Sequence, residues 1–289
     1  MFENFEQTQL NTSGATINFV KGGNGFPLLL LHGYPETHLM WHKIAPQLAQ
    51  EFTVIVPDLR GYGDSSKPAG DPDHYNYSKR AMAQDMVEVM TRLGFEEFFV
   101  VGHDRGARVG HRMALDHAQH VKKLAVLDIA PTYKMYMTAD KTFATVYYHW
   151  FFLIQPFDFP ERLISSQSEY YLRACLNRWS ADFTAFPTEV FEEYVRCFSN
   201  PATIHATCED YRAAASIDLA HDEADMSQKV SCPLLVLWGE KGFVGRKYDV
   251  LETWRERAID VRGGTIPGGH FLPEEAPDET YRALREFLS

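Results

Sequence analysis

Cysteine is scarce in this 289-residue chain: Cys175, Cys197, Cys208 and Cys232 are the four present, and none stands in CxxC spacing. That excludes a disulfide framework and a thiolate metal centre, and reads as reduced thiols. No apolar run approaches the roughly 20 residues of a membrane-spanning helix, and the opening residues Met1-Phe2-Glu3-Asn4-Phe5-Glu6 are acidic, without the apolar core of a signal peptide. Cations are short too, 28 Lys and Arg against 39 Asp and Glu, for a net charge of -11. An acidic surface attracts neither nucleic acid nor an anionic membrane. It also repels an anionic small molecule at long range, so such a substrate would need local cations. Together these absences predict a soluble, cytoplasmic protein with no metal and with neither nucleic acid nor membrane as partner.

What is abundant is apolar and aromatic material, 45% and 13% of the chain, enough for a sizeable core. Residues 7–21 read as a hairpin turning at Thr12-Ser13-Gly14. Near-continuous apolar runs at Pro27–Leu31, Phe52–Val56, Phe98–Val101, Leu124–Ile129 and Leu234–Trp238 suit parallel strands buried on both faces. Val261–Ile266 is a further expected strand. Helical spacing at Trp41–Gln50, Ser78–Leu93, Ala107–Ala118 and Pro273–Leu288 completes the alternation of an α/β fold. About a hundred residues separate the strand near Ile129 from the one near Leu234, too many for a loop. Residues 131–222 are aromatic-rich and helically patterned. They are expected to form a helical cap on a core made of residues 1–130 and 223–289, over the strand ends where open α/β sheets place ligands.

The most informative stretch is Gly102-His103-Asp104-Arg105-Gly106. Gly102 and Gly106 stand at minus two and plus two from Asp104, the spacing of a nucleophile elbow, where small neighbours let one side chain stand out from a tight strand-to-helix turn. A helix-capping role for Asp104 is the bland alternative. A carboxylate nucleophile attacks saturated carbon and leaves an ester on the enzyme, so substrates should carry a leaving group on such a carbon. Hydrolysing that ester needs a base and an acid to orient it. His270, in Pro267-Gly268-Gly269-His270-Phe271 after the last strand, is placed where the hydrolase order of nucleophile, acid and histidine puts the base. The acid could follow either of two strands. In Trp238–Gly245 the only carboxylate is Glu240, followed at once by Lys241; Asp128 ends an apolar strand, where an unpartnered carboxylate is costly. Asp128 is therefore expected to pair with His270, the alternative being a cap at the start of the lid.

These motifs, with His32-Gly33-Tyr34-Pro35, Asp58-Leu59-Arg60-Gly61-Tyr62-Gly63 and Leu127-Asp128-Ile129-Ala130-Pro131-Thr132, resemble the α/β-hydrolase dehalogenases along essentially the whole chain. The elbow Asp104-Arg105-Gly106-Ala107-Arg108 is most similar to that of the fluoroacetate (haloacetate) dehalogenases. Where haloalkane dehalogenases and many epoxide hydrolases carry tryptophan after the nucleophile, this chain has Arg105, with Arg108 three residues on. The resemblance implies that both bind the carboxylate of a haloacid, a use suited to guanidinium groups. It further implies that His149, Trp150 and Tyr211 receive the departing halide, that the backbone N–H groups of Tyr34 and Arg105 form the oxyanion hole, and that Trp179 shapes the pocket. No cofactor is implied, and the assembly would be a homodimer.

The implied reaction converts haloacetate to glycolate and halide through an Asp104 ester. An epoxide hydrolase is the nearest rival, with Tyr211 and Tyr147 or Tyr148 protonating the epoxide, though a neutral epoxide gives the two arginines nothing to bind. A haloalkane dehalogenase fails on the same ground, and a serine esterase fails because no serine occupies the elbow tip. A catalytically silent scaffold is the alternative outside enzymes.

Overall fold

The computed structural model describes residues 1–289. Eight strands, β1 (Glu6–Asn11), β2 (Thr16–Gly22), β3 (Phe26–Leu31), β4 (Phe52–Pro57), β5 (Phe98–His103), β6 (Val121–Leu127), β7 (Leu234–Gly239) and β8 (Val261–Ile266), form one sheet. Their order is β1-β2-β4-β3-β5-β6-β7-β8. The β1–β2 hairpin and the β2–β4 pair are antiparallel, and every other pair is parallel. Alternate residues of the central strands enter separate cores on the two faces: Leu29, Leu31, Val100, Val126 and Val236 on one, Leu28, Leu30, Val101, Ala125 and Leu237 on the other. Burial on both sides explains why these strands read as continuous apolar runs rather than as alternation. Each such aliphatic side chain contributes about 1.5–3 kcal/mol by leaving water.

The chain leaves β3 toward β4 on one side and reaches β5 on the other, so the order reverses beside β3, and the crevice at the C-terminal ends of β3 and β5 is where such sheets hold ligands. Between β6 and β7 the sheet gives way to helices, from Thr132–Met137 through Ile217–Ala224. The expected boundary at 222 falls inside this last helix, because Arg112 of the core holds Asp222 at 2.9 Å and Asp225 at 2.6 Å, tying the helix to the sheet layer.

Two expected helices are broken. Trp41–Gln50 is a 3-10 turn, His38–Trp41, followed by a single α turn, Ala45–Leu48. Pro46 in that turn lacks the N–H a continuing helix would need. The helix expected over Pro273–Leu288 divides for the same reason into Leu272–Glu275 and Pro277–Leu288. Ser78, by contrast, caps Lys79–Arg92 by accepting from the Ala81 N–H, close to the expected start. No helix is long and apolar enough to cross a membrane.

Candidate active site

Asp104 lies at the junction of β5 and the helix Asp104–Asp116, with φ at +41°, a left-handed conformation that costs energy for a residue with a side chain. Its flanking glycines are required by contact. A Cβ on Gly102 would stand 2.6 Å from the Ala107 backbone, and one on Gly106 would stand 2.4 Å from the His32 carbonyl oxygen. The helix can therefore close onto β3 and β5 only without those side chains. Held this way, the Asp104 carboxylate accepts the Tyr34 N–H at Oδ2, 3.1 Å away, and its Oδ1 lies 4.0 Å from Arg108 Nε. Burial alone would raise its pKa, but the charges of His270, Arg108 and Arg105 outweigh that and hold the carboxyl below its ordinary value. The Asp104 carboxylate is anionic at neutral pH.

Asp128 follows β6, also left-handed at φ +52°. Its Oδ2 lies 2.6 Å from His270 Nδ1, and its Oδ1 accepts the Gly239 N–H at 3.0 Å. Glu240, the other acid the sequence allowed, is exposed. Burial lowers the His270 pKa, yet the hydrogen bond and charge of Asp128, with the charge of Asp104, raise it above the usual histidine value. Two backbone contacts fix the histidine loop: the His270 N–H donates to the Trp179 carbonyl at 3.0 Å, and the His270 carbonyl lies 2.9 Å from His103 Nε2. His103 is buried and its pKa falls to about 3, so its ring is neutral and donates there. Sequence reasoning missed His103; its place just before Asp104 was the only available signal.

The two arginines have different surroundings. Arg105 is fully buried and grips Asp210 through two parallel bonds, Nη2 to Oδ1 at 2.6 Å and Nε to Oδ2 at 2.9 Å, leaving Nη1 without an acceptor in the protein. Arg108 donates from Nη1 to the Ala130 carbonyl at 3.0 Å and to Thr132 Oγ1 at 2.9 Å, leaving Nε without one. Asp210, which also binds Lys79 and accepts from Tyr62 Oη, is the second site residue the sequence did not disclose. A buried acid one position before Tyr211 becomes meaningful only when the helix Pro201–Ala214 is seen to pack over the elbow.

His149 Nδ1, Trp150 Nε1, Tyr211 Oη and Trp179 Nε1 are likewise buried without an acceptor. The rings stand together. His149 lies 5.6 Å from Tyr211 and 4.3 Å from Trp179, Trp150 lies 6.5 Å from Tyr211, Arg105 stacks on Tyr211 at 4.2 Å, and Arg108 on Trp150 at 4.8 Å. Burial pushes the His149 pKa down to about 3 and that of Tyr211 well above its ordinary value, so the first is a neutral imidazole and the second keeps its phenolic proton. Unsatisfied buried groups are costly and few in folded proteins. Six of them, all able to donate, belong to side chains packed against one another and against the arginines of the helix that begins at Asp104. A cavity lined by Asp104, Asp128, His149, Trp179, His270 and Tyr147 opens toward solvent, its wall shared between the sheet layer and the helices that separate β6 from β7.

An alpha/beta-hydrolase-fold family pattern matches residues 27–277. A fluoroacetate dehalogenase of Burkholderia sp is 49% identical over 100% of this chain and 95% of its own length. A soluble epoxide hydrolase of Corynebacterium sp. (strain C12) is 36% identical over 97% and 96%. A crystal structure from Nostoc sp PCC 7120, provisionally described as an alpha/beta hydrolase, superposes with a TM-score of 0.99 at 70% identity, covering 100% of this chain and 99% of that one. The chain belongs to the alpha/beta-hydrolase family and is related along its full length to fluoroacetate dehalogenase.

Proposed function

We propose that the protein hydrolyses haloacetates to glycolate and halide in two steps, with residues 131–222 as the lid of a core formed by 1–130 and 223–289. The observation that carries the reading is the convergence of buried donors without acceptors on Asp104, two of them guanidinium N–H groups. In the first step the free N–H groups of Arg105 and Arg108 hold the substrate carboxylate, and Asp104 Oδ1 attacks the α-carbon from the side opposite the halogen. The carbon–halogen bond breaks with its electron pair on the halide. His149, Trp150 and Tyr211 donate to that ion, and Trp179 bounds the space. Such donors stabilise charge that develops only in the transition state. Neutral donors suit this role, since they add no positive charge that would compete with the arginines for Asp104 or the substrate carboxylate.

In the second step His270, oriented by Asp128, takes a proton from water as its oxygen attacks the Asp104 carboxyl carbon. The Tyr34 N–H, already on Oδ2, is in position for the resulting oxyanion, with the Arg105 N–H as the second donor. Collapse expels glycolate, which takes the proton back from His270, and the Asp104 carboxyl, whose pKa is held low, gives up the second water proton to solvent and returns to carboxylate. Ester formation also removes the negative charge of Asp104, one of the influences that raise the His270 pKa, so the histidine becomes more available as a base just when one is needed. No step calls on a cofactor.

The epoxide reading has its own support in the Corynebacterium relative and in the Tyr211 hydroxyl, with Tyr147 on the cavity wall. It leaves the arginine N–H groups idle. Halide release from fluoroacetate and chloroacetate, measured beside diol formation from styrene oxide, decides between them: haloacetate turnover without diol supports the proposal, and the converse replaces it with epoxide hydrolysis. His270→Asn given chloroacetate should accumulate one carboxymethyl group on Asp104 by mass spectrometry, and full turnover by that variant would remove His270 from the mechanism. A cytoplasmic homodimer is proposed from the family resemblance alone, and sedimentation tests the assembly.

A further inference from the structure

The buried site is close to electrically neutral. Asp104, Asp128, Asp210 and Asp218 are largely offset by Arg105, Arg108 and Lys79, with His270 held against Asp128, and the rest of the molecule carries excess negative charge. An anion approaching from solvent therefore gains nothing at long range from the pair of arginines that is to hold it. The cavity leading to Asp104 differs in this respect. Its outer wall carries three exposed cations, Arg178 from the lid helix Ser168–Trp179 and Lys241 and Arg246 from the segment after β7. None makes a salt bridge. Arg178 donates only to the Thr145 carbonyl at 3.0 Å, Arg246 Nε only to the Gly242 carbonyl at 3.0 Å, and Lys241 Nζ to nothing. The acids in the same lining are Asp104 and Asp128, both engaged at the floor; the exposed Asp182 feels the charge of Lys241 but does not reach salt-bridge distance.

We propose that Arg178, Lys241 and Arg246 form a cationic vestibule that draws small carboxylate anions through an otherwise repelling surface and so sets the selectivity of capture. The proposal rests on the haloacid reading for the identity of the anion, while the vestibule itself is defined by the cavity and its free cations. Clefts lined by charge of one sign raise the local concentration and on-rate of oppositely charged ligands by about 10–10³-fold, an effect that salt removes. Long exposed side chains without carboxylate partners suit a passing anion, which salt-bridged ones would not.

The test is the variant Arg178→Gln/Lys241→Gln/Arg246→Gln beside a control, Lys122→Gln/Lys229→Gln/Arg282→Gln, which loses the same charge away from the mouth. With chloroacetate at low ionic strength, kcat/KM of the vestibule variant should fall about tenfold through KM, with kcat largely kept, and its salt dependence should flatten. The control should behave as the parent protein. A second readout needs no turnover: the fluorescence of Trp179, obtained by difference from Trp179→Phe, is quenched by iodide and by neutral acrylamide. The vestibule variant should lose several-fold in iodide quenching and none in acrylamide quenching. Unchanged iodide quenching, or equal losses in the control, overturns the vestibule. Parent protein inert toward every haloacetate overturns the haloacid reading instead, and the iodide comparison then still decides the vestibule.

Discussion

Removing one oxygen atom, Tyr211→Phe, should separate activity from stability in opposite directions. The Tyr211 ring is fully buried against Tyr34, His149 and Arg105, at 5.2, 5.6 and 4.2 Å, and phenylalanine keeps all of those contacts. Its hydroxyl bonds to nothing in the protein. A buried polar group without a partner costs about 1–3 kcal/mol, so deleting it should leave Tm unchanged or raise it, at about 2 °C or more per kcal/mol for a chain of this size. The same hydroxyl is one of three donors assigned to the leaving halide. Losing one preorganised donor at a developing anion costs about 10²–10³ in kcat, roughly 2.7–4 kcal/mol. Fluoride concentrates its charge in the smallest volume and depends on donors most. The loss should therefore approach the upper figure on fluoroacetate and be about tenfold smaller on bromoacetate. Ion-selective halide assays with thermal melts of the same preparations measure both. A lower Tm would mean that the hydroxyl serves the fold, and kcat on fluoroacetate within threefold of the parent would remove Tyr211 from halide binding.

Asp210→Asn leaves Arg105 and Lys79 buried with a neutral amide between them, and breaking a buried pair from one side costs about 3–5 kcal/mol. Urea unfolding should record that loss, and KM for chloroacetate should rise as Arg105 loses its anchor; a stability change under 1 kcal/mol would contradict the buried pairing. Hydrolysis of the ester needs neutral His270, whose pKa in the free protein is raised above 6.5 partly by the Asp104 charge that the ester no longer carries. Single-turnover ester hydrolysis should therefore fall as pH drops through the lower pKa of the ester form, while in the free protein the imidazolium pairing stabilises the fold below 6.5 and is lost as pH rises through the raised folded pKa. A decay rate independent of pH between about 5.5 and 8 would rule His270 out as the base.

The linear sequence was enough to determine the strand-bearing core, because strands buried on both faces must be apolar throughout and the runs at Leu28–Leu31, Val100–Val101, Leu124–Leu127 and Leu234–Leu237 are. It determined the elbow for an equally local reason: Gly102 and Gly106 are forced by contacts within a few residues and with the adjacent strand. Helix breaks just before Pro46 and Pro277 are harder to read, since the apolar periodicity continues across a proline that the backbone hydrogen bonding cannot. The tertiary structure alone decided how the arginines of Asp104-Arg105-Gly106-Ala107-Arg108 are used. In sequence they are equivalent cations on one helix. In space Asp210, 105 residues away, neutralises Arg105, while backbone and hydroxyl oxygens hold Arg108, and each keeps one guanidinium nitrogen without an acceptor. Hydrogen bonds between segments so far apart leave no periodicity or spacing to read, and the same holds for Arg178, Lys241 and Arg246, which line one cavity from distant parts of the chain.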